Sequence, residues 1–166
     1  MTPAELARRV GARLPEVIVA REEVTVVVER GELLGALEEL RGDPALRLDF
    51  LSSMTATDWP ERSPRFWLAY ELYSTEHRHR LRVKVGLAEE DAVVPSTTEL
   101  FPTADWFERE VFDFYGIVFE GHPDLRRILL PEGWDGWPLR KTEELGGVNT
   151  RYRNGAFIPP VDRRTT

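Results

Sequence analysis

Glu108, Arg109, Glu110 and Asp113 fall within six residues, and His122 follows nine positions after Asp113. Carboxylates and an imidazole at this spacing are the groups of general acid–base chemistry, with Glu110, Asp113 and His122 as the set. The same residues suit a pairing network, in which guanidinium groups neutralise carboxylates too costly to bury alone. Nothing else completes an enzyme: the chain has no nucleophile motif, no phosphate-binding glycine loop and no cluster of metal ligands. His77 and His79 stand two apart in an arginine-rich turn that repels a cation. The absence of cysteine excludes disulfides, thiolate catalysis and cysteine-ligated zinc or iron–sulfur centres together. The expected reading is the network, with no catalytic, cofactor-binding or metal-binding residue.

A helix must carry these charges. Asp105 is placed to cap it, with Glu108 three positions on as in a capping box, and Gly116 supplies the stop. Phe107, Val111 and Phe114 form one apolar stripe, widened by Tyr115, while Trp106 and Phe112 project from other sides. Seven of the 17 aromatic residues lie between Phe101 and Phe119, so the helix is expected to meet its own sheet on one side and a partner on another. Arg109 and Asp113, four apart on the polar side, are expected to pair. Glu110 lacks a local partner of opposite sign, and Arg126 or Arg127 is expected to supply one. His122, before Pro123, reads as a turn residue whose ring bonds a nearby backbone group or carboxylate.

Upstream, the apolar spacing predicts helices over 3–13 and 31–40, the second ended by Gly42-Asp43-Pro44. Ile18-Val19 and Thr25–Val28 read as a hairpin or a bent strand. Three further strands are predicted: Leu46–Phe50 running on toward Met54, Phe66–Leu72, and Leu81–Val85, the last two joined by the polar loop Ser74–Arg80. Arg82 and Lys84 are expected to face solvent or a partner while the valines face the helices. The fold class is therefore α+β: a mostly antiparallel sheet with helices on one face, followed by an extended C-terminal arm. Residues 1–120 form the body and 121–166 the arm.

The arm combines five prolines and six glycines with Leu125, Ile128, Trp134 and Trp137, and is read as a segment that orders along another protein. It holds eight basic and six acidic side chains, net +2, against fourteen and twenty-three in residues 1–120, net −9. That polarity suggests an acidic surface as the arm's docking site. The overall charge of −7 argues against nucleic acid. No apolar run approaches a membrane span, and the N-terminus lacks a signal-peptide layout, so a cytosolic face is expected.

The helix and the segment after it resemble the signature of the 30-kilodalton (C) subunit of the proton-pumping NADH:quinone oxidoreductase, respiratory complex I. Glu108-Arg109-Glu110 opens the pattern, Asp113 is its acid, Phe114-Tyr115 its apolar pair, His122 its histidine, Arg126 its basic residue and Ile128-Leu129 its aliphatic close. Tyr115 is a mild departure from the usual aliphatic or Phe. Met54–Pro60, Gly121–Leu129 and Trp134–Lys141 extend the likeness over roughly residues 45–141. After Lys141 the usual Asp-Tyr-Pro is replaced by Thr142-Glu143-Glu144.

The resemblance implies a non-catalytic structural subunit of the peripheral arm, supporting electron transfer from NADH to quinone coupled to proton translocation. It implies packing against the 49-kilodalton (D) subunit homologue and neighbouring peripheral-arm subunits, on the cytoplasmic side of the cell membrane and reaching it only through the complex. The chain itself would bind no cofactor; FMN, iron–sulfur clusters, NADH and quinone would reside on other subunits. The equivalent subunit of a membrane-bound hydrogenase or other quinone-linked complex is the alternative. Structural or partner contacts are expected of Glu108, Arg109, Glu110, Asp113, His122, Asp124, Arg126, Arg127, Trp134, Trp137, Arg140 and Lys141.

Overall fold

Helix α1, Pro3–Gly11, begins at Thr2, whose hydroxyl accepts from the Glu5 amide while the Glu5 carboxylate accepts from the Thr2 amide. Leu6 and Val10 bury its inner side. The computed structural model describes residues 1–131 and 133–143, together with the backbone of 151–152 and 156–157. Strands β1 (Glu16–Ala20) and β2 (Glu23–Val27) form a hairpin whose two turn residues, Arg21 and Glu22, have φ of +51° and +64°. Two positive φ values give the turn that matches strand twist, here without glycine. A 3-10 turn at Arg30–Glu32 leads into α2, Leu33–Gly42, which buries Leu33, Ala36, Leu37 and Leu40.

The strand expected from Leu46 on toward Met54 forms only from Phe50; residues 46–49 are not part of it. Leu46 and Leu48 are buried, yet their amides bond to Asp43 O and Leu40 O at the end of α2, and Arg47 between them has φ +44°. Alternation here seats two leucines under a helix end instead of along a sheet. Strand β3 runs from Phe50 to Asp58, followed by β4 (Phe66–Tyr73) and β5 (Arg80–Leu87). The sheet order is β1-β2-β5-β4-β3, antiparallel except for the parallel β2/β5 pair.

One face of this sheet, with Val24, Val26, Tyr70 and Val83, joins the inner sides of all three helices in a single core. In chain order helix α3, Ala104–Tyr115, comes between β6 (Val93–Pro95) and β7 (Val118–Glu120), two short strands that pair parallel with each other and that periodicity did not suggest. Three-residue strands are too short for an alternation pattern to register. They matter because β6 delivers Ser96 and Thr97 beside the helix. In the C-terminal arm, Arg151–Tyr152 (β8) and Ala156–Phe157 (β9) pair antiparallel, an element the reading of the arm lacked.

Candidate functional site

Thr103, not Asp105, is the N-cap residue of α3, and no side chain caps it; the Thr103 hydroxyl instead donates to Leu51 O at 3.1 Å. The expected capping box fails because Glu108 turns inward. Its carboxylate, wholly buried, accepts from the Thr97 amide, the Thr97 hydroxyl and the Ser96 hydroxyl, each at 2.7 Å. No cation pairs with it among the described residues. Burial therefore pushes the Glu108 carboxyl above its ordinary range, although the Ser96 and Thr97 donors pull the other way.

Asp113 is equally buried and settles its charge differently. Its Oδ2 accepts from three successive amides, Ile128 at 3.1 Å, Leu129 at 2.8 Å and Leu130 at 2.9 Å. Its Oδ1 accepts from the Arg127 guanidinium at 2.9 Å, and the same guanidinium reaches Asp113 O and Gly136 O. Burial opposes the charge, but the Leu130, Leu129 and Ile128 amides and Arg127 outweigh it and hold the carboxyl below the usual range. The expected Arg109–Asp113 pair is thus replaced: side chains four apart on a helix compete with whatever the tertiary fold brings closer. Arg109 lies 3.9 Å from Asp105 Oδ1, donates to Arg126 O at 3.3 Å and stacks over the exposed Trp106.

Glu110 is exposed and receives neither Arg126 nor Arg127. Arg126 points outward and pairs with Asp124 at 2.9 Å, while Arg127 is taken by Asp113. His122 behaves as a turn residue: the Asp124 amide donates to its Nδ1 at 3.0 Å, which leaves the proton on Nε2 to donate to Asp105 O at 3.2 Å. Glu110, Asp113 and His122 therefore share no hydrogen bond, and the acid–base set is not assembled.

The rest of the junction sits where α3 ends. Gly116, at φ +68°, closes the helix with its amide on Phe112 O, and a side chain there would overlap the Trp137 ring. The helix's last carbonyls are satisfied from the arm: the Leu139 amide reaches Phe114 O, and Arg140 Nε reaches Tyr115 O at 2.7 Å. The Arg140 guanidinium sits 5.1 Å from both the Phe66 and Trp137 rings. Lys141 contributes its backbone, donating to Asp58 Oδ2 at 2.8 Å, with its side chain exposed. Trp134 is half-buried, and its amide donates to Pro131 O at 3.2 Å.

Asp58 and Arg65 were missed by sequence reasoning. They form a buried two-pronged pair at 2.7 and 2.9 Å, with Arg65 also reaching Glu89 and Thr142. The Arg65 bond, partly offset by burial, holds the Asp58 carboxyl below its ordinary value. A carboxylate at the inward-facing end of β3 and an arginine opening β4 were the available signal. Together with Asp113, this pair fastens residues 127–141 across the end of the body. The site's chemistry is thus charge-assisted fastening of an extended segment.

A family model described as respiratory-chain NADH dehydrogenase, 30 Kd subunit, matches residues 26–149. The NADH-quinone oxidoreductase C subunit of Saccharopolyspora erythraea is 47% identical over 150 residues, covering 90% of this chain and 60% of the relative. Its counterpart in Caulobacter vibrioides is 48% identical over 151 residues, covering 89% and 76%. Across four of these relatives the chain spans 60%, 67%, 64% and 61% of their length. Among solved structures, a trypsin-resistant fragment of Nqo5 superposes with a TM-score of 0.64 at 32% identity, covering 75% of this chain and 100% of the fragment. A chain of the membrane-bound sulfane sulfur reductase, an archaeal respiratory membrane complex, gives 0.71 at 25% identity, covering 86% and 85%.

Proposed function

The chain belongs to the respiratory-chain NADH dehydrogenase 30 Kd subunit family, and on that premise we propose that it is a structural subunit of a proton-translocating NADH:quinone oxidoreductase. In this reading it supports electron transfer from NADH to quinone without carrying a reacting group. FMN, the iron–sulfur clusters, NADH and quinone belong to other subunits, and this chain offers no thiolate to a cluster. Its proposed neighbours are the 49-kilodalton (D) subunit homologue and other peripheral-arm subunits. Arg126, Trp134 and the exposed side chains of the arm are the proposed contact residues. Among the described residues no helix is long and apolar enough to cross a membrane; a peripheral place on the cytoplasmic side is proposed through the complex.

The observation that carries this reading is Asp113. A fully buried carboxylate is committed to three arm amides and one guanidinium, so the central acid of the motif holds the chain together and has no free proton to exchange. The likeness to the sulfane sulfur reductase chain raises a second reading, the equivalent subunit of a related membrane complex.

One experiment separates them: affinity isolation of a tagged chain from gently solubilised native membranes, with the bound subunits identified by mass spectrometry. Recovery of flavin- and cluster-bearing subunits of an NADH-oxidising module is the expected result. Recovery of a hydrogenase-like or sulfur-reducing assembly would move the chain to the second reading, and recovery of the chain alone would overturn both.

A further inference from the structure

The core occupies one face of the β1–β5 sheet, and the opposite face follows a pattern of its own. Tyr73 and Trp67 on β4 point to that face, as does Trp59 just beyond β3, whose Nε1 donates to Thr57 Oγ1. Each carries a cation over its ring: Arg80 at 5.7 Å from Tyr73, Lys84 at 5.1 Å from Trp67 and Arg62 at 4.3 Å from Trp59. None of these three cations forms an ion pair among the described residues. Two carboxylates of the same face, Glu71 and Glu23, are both engaged by Arg82, so neither is free to neutralise Arg80 or Lys84. Phe50, Trp59 and Ile18 on this face remain 43%, 44% and 45% exposed. On a body of net charge −9, aromatics bearing cations without an ion pair set this face apart.

We propose that this open sheet face is a second protein interface, distinct from the helix–arm junction, and that its occupant is an acidic surface of a neighbouring subunit. The inference rests on the reading of the chain as one subunit of a larger assembly. Tryptophan, tyrosine and arginine are the residue types that anchor protein interfaces, and cations already stacked on rings are oriented before a carboxylate arrives. Charge complementarity chooses the partner: three ring-stacked cations with no ion pair among the described residues call for carboxylates opposite. An aromatic and basic sheet also suits single-stranded nucleic acid, but the overall charge of −7 repels a polyanion.

The chain's two lysines make the test direct, because Lys84 lies on this face and Lys141 in the arm. Both are acetylated with an amine-reactive ester in the purified chain and in native membranes, and carbodiimide coupling is run on the same membranes. We expect Lys84 to react several-fold more slowly in membranes and to become joined to an Asp or Glu of another subunit. If Lys84 reacts equally in both while Lys141 is protected, the chain is assembled with its sheet face free, and this inference alone falls. Equal reactivity of both lysines would overturn the inference and the subunit reading together. Protection of Lys84 that nuclease treatment abolishes would overturn it in favour of nucleic acid. Replacement Lys84→Glu should lower the yield of assembled complex, whereas Lys84→Arg should retain it.

Discussion

Arg127 meets Asp113 at 2.9 Å from fourteen positions further along the chain, and that contact ties the start of the arm to the middle of α3. The carboxylate has no exposed surface and the guanidinium little, so neither finds a substitute in water.

Asp113→Ala should therefore be the most damaging single change at the junction. It strands the Ile128, Leu129 and Leu130 amides and Arg127 together, at a cost of about 3 kcal/mol, the lower end for breaking a buried pair. Urea unfolding of the purified chain measures the loss, and limited proteolysis should cut the arm before the body.

Arg126→Ala should do little to the fold. Its side chain is 72% exposed and, among the described residues, pairs only with Asp124, so the loss should stay under about 1 kcal/mol. A urea midpoint shift comparable to that of Asp113→Ala would contradict this placement. If assembly in membranes falls while the isolated chain stays stable, Arg126 serves a partner.

Glu108→Gln should be neutral or stabilising at pH 7. The amide oxygen can still accept from Thr97, its NH2 can donate to Ser96 Oγ, and the buried charge is gone. Because burial raises the folded pKa, wild-type Glu108 contributes stability that is present below pH 4.5 and lost as pH rises through the folded value. The variant should accordingly gain on wild type with rising pH in paired urea titrations. A variant that loses ground as pH rises would mean that the charged form is the one the site prefers.

His79→Leu should protect the fold against mild acid. The ring is 6% exposed, and burial, helped by the nearby N-terminus and His77 and opposed by the Leu46 backbone, lowers its pKa from 6.5. Wild-type stability is then complete above about pH 6.5 and falls as pH drops from there toward the depressed folded value. Comparing urea midpoints at about pH 7.5 and 5.5, on either side of the ordinary histidine pKa, should show wild type losing more than the variant.

Gly116→Ala should cost roughly 1–2 kcal/mol from the left-handed backbone alone, and more because Trp137 must move. In a double-mutant cycle with Trp137→Ala the two losses should be less than additive. Full additivity would place Trp137 away from the glycine in solution.

Local pattern carried most of the architecture. The alternation Phe66–Leu72 and Leu81–Val85 marked β4 and β5, since a strand with one buried face must repeat every two residues. The spacing of Phe107, Val111 and Phe114 marked α3, and Gly116 its stop, because few other residues tolerate a positive φ there. Leu46 and Leu48 misled by the same logic: two buried leucines separated by one residue satisfy a strand and a tight turn alike. Residue type also announced that Glu108, Arg109, Asp113 and His122 had to be paired or bonded.

What the sequence by itself determined was thus the α+β class, the aromatic helix and the family likeness, all of which depend on type and short-range spacing. Which partner each charge takes was decided only by the tertiary structure. Asp113 chose Arg127 and three arm amides over Arg109, Glu108 chose Ser96 and Thr97 over the helix start, and Asp58 found Arg65 across a turn. Helix spacing offers an i,i+4 pair worth a fraction of a kcal/mol. Burial raises the penalty for an unsatisfied charge to several. Once the core closes, a buried carboxylate goes to the donors the fold has enclosed with it, and those are set by contacts between segments far apart in the chain.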